Sequence, residues 1–170
     1  MRYIVLLVTI FFASGCASTY KQTDLNAPTQ KLERGKSILI ATPSNGSYDG
    51  KEYTGSGQST ALAVRSAFAR HSNNITVFAE CSNLQCLKSS SAPSVDYYVV
   101  PEILHWEDRN TEWSGIKDKL EIKVSIYDAT DGTELSTTII SGKSKWVTFG
   151  GDHPQDLLPE PLGKYVDSLY

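Results

Sequence analysis

Positive charge is scarce in this sequence. Its 170 residues include 16 Lys and Arg against 19 Asp and Glu, which gives a formal net charge of −3. No stripe of basic residues stands out along the chain, so nucleic acid is excluded as a predicted partner. For the same reason the sequence predicts no polybasic patch that would bind a lipid surface.

Common catalytic motifs are also missing. The chain has no Gly-x-Ser-x-Gly nucleophile elbow. The glycine-containing stretch at residues 53–58 precedes a predicted helix, but it lacks the lysine of a phosphate-binding loop. No cofactor is predicted, and the chain is not expected to be an enzyme.

The best group of metal-ligating residue types comprises Asp152, His153 and Asp156. Carboxylates and an imidazole could hold a divalent metal ion and support a metal-assisted hydrolase. Pro154 lies within this group, however, and proline is favoured in the first turn of a helix. Acidic side chains there accept hydrogen bonds from unpaired backbone amides and suit the positive end of the helix dipole. Helix capping is therefore the preferred interpretation, and the metal site is the weaker one.

The start of the chain is a short basic head followed by an apolar run at residues 4–13. A helix of about 10 residues spans roughly 15 Å, whereas the hydrocarbon core of a membrane is roughly 30 Å thick. The run therefore has the length of a signal-peptide core rather than that of a transmembrane helix.

The sequence Ala-Ser-Gly-Cys at residues 13–16 resembles the lipobox of bacterial lipoproteins. The resemblance implies that residues 1–15 are a signal peptide and that Cys16 receives diacylglycerol and a further acyl chain such as palmitate. Membrane lipid is then a predicted partner, because two or more acyl chains form a stable anchor. In that family an aspartate after the cysteine favours the inner membrane. Ala17 stands there instead, which implies an outer-membrane anchor and a periplasm-facing protein.

The other two cysteines, Cys81 and Cys86, are separated by four residues. Export would place them in an oxidising compartment, where a disulfide closing so short a loop is worth about 2 kcal/mol. A redox or metal-binding pair is the alternative, but the Cys-x-x-Cys spacing and a neighbouring histidine cluster are both missing. A structural disulfide is therefore predicted. It would leave no free thiol as a nucleophile.

Three segments follow from composition and periodicity. Residues 1–15 are the signal peptide, and residues 16–36 are the lipidated cysteine and a flexible tether, since they are polar and lack apolar periodicity. Residues 37–170 are long enough for one domain with a real core.

Within this domain, apolar or alternating runs predict five strands, at residues 37–41, 75–79, 95–106, 120–127 and 134–146. Two apolar stripes at helical spacing predict helices. The first stripe consists of Ala61, Val64, Ala67 and Phe68, and the second of Leu162, Tyr165, Val166 and Leu169. The order β-α-β-β-β-β-α predicts an α+β fold, with helices packed on one side of a mostly antiparallel sheet of about five strands.

Two resemblances to known families follow from longer blocks. Residues 106–109, 112–115, 141–146 and 149–158 resemble an uncharacterised family of Gram-negative outer-membrane lipoproteins, described only as a domain of unknown function. The strand order and the turn at residues 128–132 are more distantly similar to three envelope domains. These are the amino-terminal domain of the Tol translocation protein, the curli-secretion lipoprotein and the lipoprotein activators of peptidoglycan synthases. This second resemblance implies a periplasmic adaptor that works through protein contacts.

Aromatic residues are denser than a core of this size needs, and such residues are favoured at binding hot spots. The candidate interaction surface comprises Trp106, Trp113, Trp146 and Tyr98. The alternative is that these side chains fill the core. The favoured function is a non-enzymatic, lipid-anchored periplasmic adaptor that binds another cell-envelope component. A small-ligand or glycan-binding lipoprotein is the first alternative, and a metal-assisted envelope hydrolase is the second.

Overall fold

A computed structural model describes residues 18–90, 94–109, 116–145 and 153–170. The strands are β1 (Thr19–Asn26), β2 (Ile38–Ala41), β3 (Ser47–Tyr48), β4 (Lys51–Glu52), β5 (Ile75–Phe78), β6 (Tyr97–Glu107), β7 (Lys119–Asp128) and β8 (Glu134–Lys143). The helices are α1 (Ser56–Phe68), α2 (Leu84–Ser89) and α3 (Pro159–Leu169), and a 3-10 helix (Pro154–Leu157) precedes α3. Within the described ranges, no helix is long and apolar enough to cross a membrane.

Six of the strands form one sheet in the order β1-β8-β7-β6-β2-β5. Strand β2 runs parallel to both β5 and β6, and every other pair in this sheet is antiparallel. The mixed α+β class and the mostly antiparallel sheet are confirmed. The number of strands differs from the prediction, because β1 joins the sheet and β3 and β4 form a separate small hairpin.

Strand β1 lies inside the segment that the sequence predicts to be a flexible tether. It pairs with β8 from Thr19, opposite Lys143, to Asn26, opposite Thr137. Most of its side chains are exposed, so the strand carries no apolar alternation that could have revealed it. Backbone hydrogen bonds to β8 do not depend on the side chains, and the ring of Tyr20 packs against Gly142. The prediction of a tether is therefore wrong for residues 19–26.

Helices α1 and α3 cover one face of the sheet. Both predicted apolar stripes are confirmed, since all eight residues are buried. They pack against alternate residues of the central strands, among them Ile122 and Val124 of β7 and Val99 of β6. Phe68, at the end of α1, is fully buried in this cluster. Burial of this apolar layer is the main source of the fold's stability.

The short helix α2 lies on the opposite face. Ile38 and Ile40 of β2 belong to the core under α1 and α3, whereas Leu39 and Ala41 cluster with Leu87 of α2. Cys81 and Cys86 form a disulfide beside this second cluster. The prediction that all helices pack on one side is therefore wrong for α2. It has only six residues, and its one buried side chain is Leu87.

Candidate functional site

The residues of the predicted interaction surface do not come together in the described structure. Trp106 is only 2% exposed and belongs to the core under α1 and α3. Tyr98 is half-buried on the opposite face, beside the disulfide cluster. Trp113 and Trp146 lie outside the described residues. Trp106 is therefore a core residue, and its assignment to an exposed surface is wrong.

A bulge in β6 explains the position of Trp106. The pairing of β6 with β7 shifts register between Ile103 and His105. Side chains alternate between the two faces of a strand, so without a shift Trp106 would share the face of Tyr98. The bulge turns Trp106 into the core instead. Its Cβ is closely covered by the backbone of Gly46, where any added Cβ would lie 2.5 Å from it.

After the bulge, β6 ends in a charged cluster built around Glu107. This carboxylate is 1% exposed, yet it accepts hydrogen bonds from Arg109 Nε at 2.5 Å and from Lys119 Nζ at 3.1 Å. His105 Nε2 lies 3.1 Å from the same carboxylate. Burial alone would raise the pKa of Glu107, but the hydrogen bonds from these three partners outweigh it and lower the pKa to about 2. Glu107 is therefore ionised and fully engaged at neutral pH.

The small hairpin β3–β4 closes over this Glu107 cluster, which consists of Glu107, His105, Arg109 and Lys119. The Tyr48 ring lies 5.1 Å from the Arg109 guanidinium and 5.2 Å from the His105 ring, in an edge-on contact with the latter. The Tyr48 hydroxyl also accepts a hydrogen bond from Arg109 at 3.3 Å. These contacts explain how an ionised carboxylate is shielded from water without losing its partners.

A second buried acid, Asp118, lies just before β7. Its carboxylate accepts a hydrogen bond from the backbone amide of Arg109 at 2.6 Å, and its own amide donates to the Ser144 hydroxyl at 2.9 Å. Burial raises the pKa of Asp118, and the neighbouring charge of Asp108 adds to the increase. Asp118 thus joins the ends of three strands, but it has no cationic side chain as its hydrogen-bond partner among the described residues.

A shallow cleft of about 330 Å³ opens beside the Glu107 cluster. Asp108, Tyr53 and His153 lie along its wall. His153 Nδ1 is 3.3 Å from one oxygen of Asp108, and the Tyr53 hydroxyl donates to the Asp108 carbonyl at 3.3 Å. The cleft therefore offers a carboxylate, an imidazole and a phenol ring to a polar ligand.

The predicted metal-binding group is only partly described. Asp152 lies outside the described residues. His153 precedes the 3-10 helix, and its backbone amide donates to the Asp156 carboxylate at 2.9 Å. Asp156 thus accepts a hydrogen bond from a backbone amide at the start of a helix, as the helix-capping interpretation of the sequence expects. In the part of the chain that the structure describes, no three His, Cys, Asp or Glu side chains are grouped to hold a metal ion.

The sequence analysis gives no role to Glu107, Arg109 or Lys119, although a signal is present. His105, Glu107 and Arg109 follow one another at every second position, which places them on one face of a strand. An alternation of opposite charges along one face is typical of a cross-strand ion-pair network. The fourth member, Lys119, could not be identified in this way because its position depends on the register between β6 and β7.

The chain is similar to several solved structures. It is 14% identical to PelC, described as a dodecamer from Paraburkholderia phytofirmans, over 90% of this chain and 97% of that chain, with a TM-score of 0.58. It is 13% identical to a Xanthomonas campestris protein of the family DUF330, over 85% and 93% of the two chains, with a TM-score of 0.52. It is also 13% identical to the lipoprotein GNA1162 from Neisseria meningitidis, over 78% of this chain and 94% of that chain, with a TM-score of 0.50. At such identities the likeness shows a shared fold.

No curated protein matches the chain. The model of the family named Domain of unknown function DUF4823 matches residues 30–169, which include every helix and all strands except β1. The chain therefore belongs to the DUF4823 family.

Proposed function

We propose that this protein is a non-enzymatic, lipid-anchored periplasmic domain that binds another cell-envelope protein through the free edge of β1. The anchor would be acylated Cys16 in the outer membrane, with the domain facing the periplasm. A fold shared with a Neisseria lipoprotein supports this location. The position of β1 carries the proposal, because this exposed strand begins three residues after Cys16.

Strand β1 is at the edge of the sheet. It pairs with β8 on one side, and within the described ranges no strand pairs with its other side. Six of its eight residues are exposed, and the strand contains no proline. A free edge presents unpaired amides and carbonyls, which a strand of a partner protein can complete. Leu25, which is 59% exposed at a bulge of this strand, adds an apolar contact.

The chemistry of the described residues favours binding over catalysis. Glu107 is saturated by its own partners, and Asp156 accepts a hydrogen bond at a helix start. The alternative of a small-ligand or glycan-binding lipoprotein rests on the cleft, where Tyr53, Asp108 and His153 could contact a polar ligand. Tryptophan fluorescence titrated with cell-wall fragments distinguishes the two, since the adaptor should give no saturable change.

The test exchanges one exposed leucine for glutamate. In Leu25→Glu, the new charge lies beside the free edge, and removal of one apolar contact should lower the affinity for the partner about tenfold. Leu62→Glu is the matched control, because Leu62 is 49% exposed on α1, away from β1. The readout is the amount of envelope protein crosslinked to each variant in intact cells.

A reproducible crosslinked protein that is lost in Leu25→Glu and retained in Leu62→Glu supports the proposal. Equal capture by both variants would show that the β1 edge is not the docking surface. The relative PelC is described as a dodecamer. A second copy of this chain is therefore one identity that mass spectrometry of the crosslinked product would recognise.

A further inference from the structure

One end of the sheet gathers lysines from separate parts of the chain. Strand β1 begins at this end, β7 begins there too, and β8 finishes there. We call this surface the basic end, and it comprises Lys21, Lys117, Lys119, Lys143 and Lys145. Lys119 lies directly opposite Lys143 on the neighbouring strand. Like charges in this position destabilise a sheet; Lys119 is explained by its ion pair with Glu107, but Lys143 has no such pair with a described residue.

Within the described ranges, four of these five ammonium groups have no ion-pair partner. Lys119 pairs with Glu107 at 3.1 Å, but the structure shows no ion pair between the other four lysines and any described residue. Lys21, Lys143 and Lys145 are exposed, and Lys117 is half-buried. The free charge of these lysines is thus available to a ligand outside the chain.

Nearby carboxylates are mostly withdrawn from the surface. Glu107 and Asp118 are buried, and Asp108 is largely covered and faces His153. Glu121, two positions along β7 from Lys119, is a half-exposed acid on these strands, and the exposed Asp156 precedes Leu157, which packs against Gly142 of β8. Among the described residues, the exposed charge at this end is therefore predominantly positive, although the whole chain has a formal net charge of −3.

The basic end is also the end at which the proposed anchor meets the fold. Thr19 is the third residue after Cys16, and three residues of fully extended chain span about 10 Å. Electrostatic attraction to a charged surface persists over a Debye length, which is about 8 Å at physiological ionic strength. An acylated Cys16 would therefore hold these lysines within reach of the lipid headgroups.

We propose that the basic end binds the phosphate groups of anionic phospholipids and sets the orientation of the domain on the membrane. This inference rests on the proposed anchoring at Cys16. Ammonium groups attract anionic headgroups as point charges, without a shaped pocket. With the basic end on the lipid, β1 stands upright from the membrane. Its free edge and Leu25 then face the periplasm, where a partner can reach them.

The first experiment maps lysine accessibility in the full acylated protein. The protein is inserted into vesicles of phosphatidylcholine alone or of phosphatidylcholine with phosphatidylglycerol. Each sample reacts with a membrane-impermeant amine reagent, and the labelling of every lysine is followed by mass spectrometry. In the anionic vesicles, Lys143 and Lys145 should label about fivefold more slowly. Lys88, near the turn at the opposite end of the sheet, and Lys31, which donates to the Ser168 carbonyl near the end of α3, should not change.

High salt provides an internal check. In 1 M NaCl the Debye length falls to about 3 Å, and the protection of Lys143 and Lys145 should disappear. Equal labelling in both kinds of vesicle would overturn the proposal. Protection in native membranes but not in phosphatidylglycerol vesicles would also overturn it, because an acidic protein would then cover these lysines.

A second measurement separates failure of this inference from failure of the anchor. Intact mass shows directly whether Cys16 carries lipid. The full Cys16→Ala chain is then floated with the two kinds of vesicle, and the ratio of anionic to zwitterionic binding is the readout. Replacing Lys143 and Lys145 by glutamine should lower this ratio about 25-fold, or about fivefold per lysine.

Replacing Lys88 and Lys31 by glutamine is the matched control and should leave the ratio unchanged. If Cys16 carries lipid but the protein has no preference for anionic vesicles, the proposed lipid binding by the basic end is refuted and the anchor is not. If Cys16 carries no lipid but the protein still prefers anionic vesicles, the proposed anchor at Cys16 is refuted and lipid binding by the basic end is not.

Discussion

The side chains of Phe68, in the core under α1 and α3, and of Glu107, at the centre of the Glu107 cluster, are equally inaccessible to water, but they are stabilised in different ways. Phe68 is buried among apolar side chains, and any well-fitting apolar neighbour would serve it. Glu107 is buried among cations, and its burial is tolerated because Arg109 and Lys119 neutralise it. The stability of the apolar core therefore depends on how well side chains fill the available volume. The stability of the Glu107 cluster depends on which charged partners surround the carboxylate. Their stabilities should respond differently to mutation and to pH.

The largest effect is expected in the apolar core. Phe68→Ala removes a fully buried ring and leaves a cavity, which should lower the free energy of unfolding by about 3–5 kcal/mol. Leu62→Ala on the same helix is the control, and it should cost about 0.5 kcal/mol or less because Leu62 is half-exposed. Urea denaturation at neutral pH measures the free energy of unfolding of both variants. A small loss for Phe68→Ala would mean that α1 contributes little to the core.

The next effect is expected at Glu107. Glu107→Gln removes the buried charge that Arg109 and Lys119 share, and it should cost about 2–3 kcal/mol at neutral pH. Glu121→Gln is the control on the same strand pair, with an expected change of about 0.5 kcal/mol or less. Unlike the loss in Phe68→Ala, this loss should shrink as the solution is acidified.

The direction of the pH effect follows from the lowered pKa. The ordinary pKa of 4.5 applies to unfolded Glu107, and the folded value is about 2. Below pH 4.5 the Glu107 carboxylate binds a proton in the unfolded chain but stays ionised in the folded protein until the pH approaches 2. The stability from Glu107 is therefore present above pH 4.5 and is lost as the pH falls towards 2. Denaturation curves across this window should converge for wild type and Glu107→Gln, and parallel curves would disprove the network.

The smallest effect is expected at Asp118, which is buried like Glu107 but has the opposite pKa shift. Because burial raises the pKa of Asp118 above 3.8, the ionised form opposes folding at neutral pH. Asp118→Asn keeps an oxygen to accept the Arg109 amide and should change stability by about 0.5 kcal/mol or less, towards stabilisation. In wild type, the contribution of Asp118 to stability should rise as the pH falls through its raised pKa.

Isothermal denaturation of wild type and Asp118→Asn at neutral and mildly acidic pH measures this difference. The advantage of the variant should be greatest at neutral pH and should vanish on acidification. A loss of more than about 1 kcal/mol in Asp118→Asn would mean that the carboxylate is needed in its ionised form.

Much of the fold could be predicted because it is encoded in local periodicity. The stripes of α1 and α3 identified their buried residues, and the alternation of Leu120, Ile122 and Val124 identified β7 with its buried face. The short spacing of Cys81 and Cys86 pointed to the disulfide. Each of these signals lies within a few residues of the chain, where side-chain spacing and burial are directly linked.

The candidate site could be predicted only in part. The alternate spacing of His105, Glu107 and Arg109 indicates that they share one side of the chain at the end of β6. The burial of Glu107 also requires Lys119 from β7 and Tyr48 from the hairpin. Trp106 was assigned to the surface because its inward rotation depends on a bulge. A bulge leaves no distinct composition signal in this strand, and it reverses the faces of every residue that follows.

The sequence by itself determined the two helix stripes, the alternation of the central strands, the disulfide loop and the resemblance of residues 13–16 to a lipobox. These features depend on residues that are close together in the chain. Only the tertiary structure decided that residues 19–26 form an edge strand, that Trp106 points inward and that lysines from three strands meet at one end. These features depend on strand register between distant segments. Register fixes which side chains become neighbours, and neither the composition nor the periodicity of a single segment contains it.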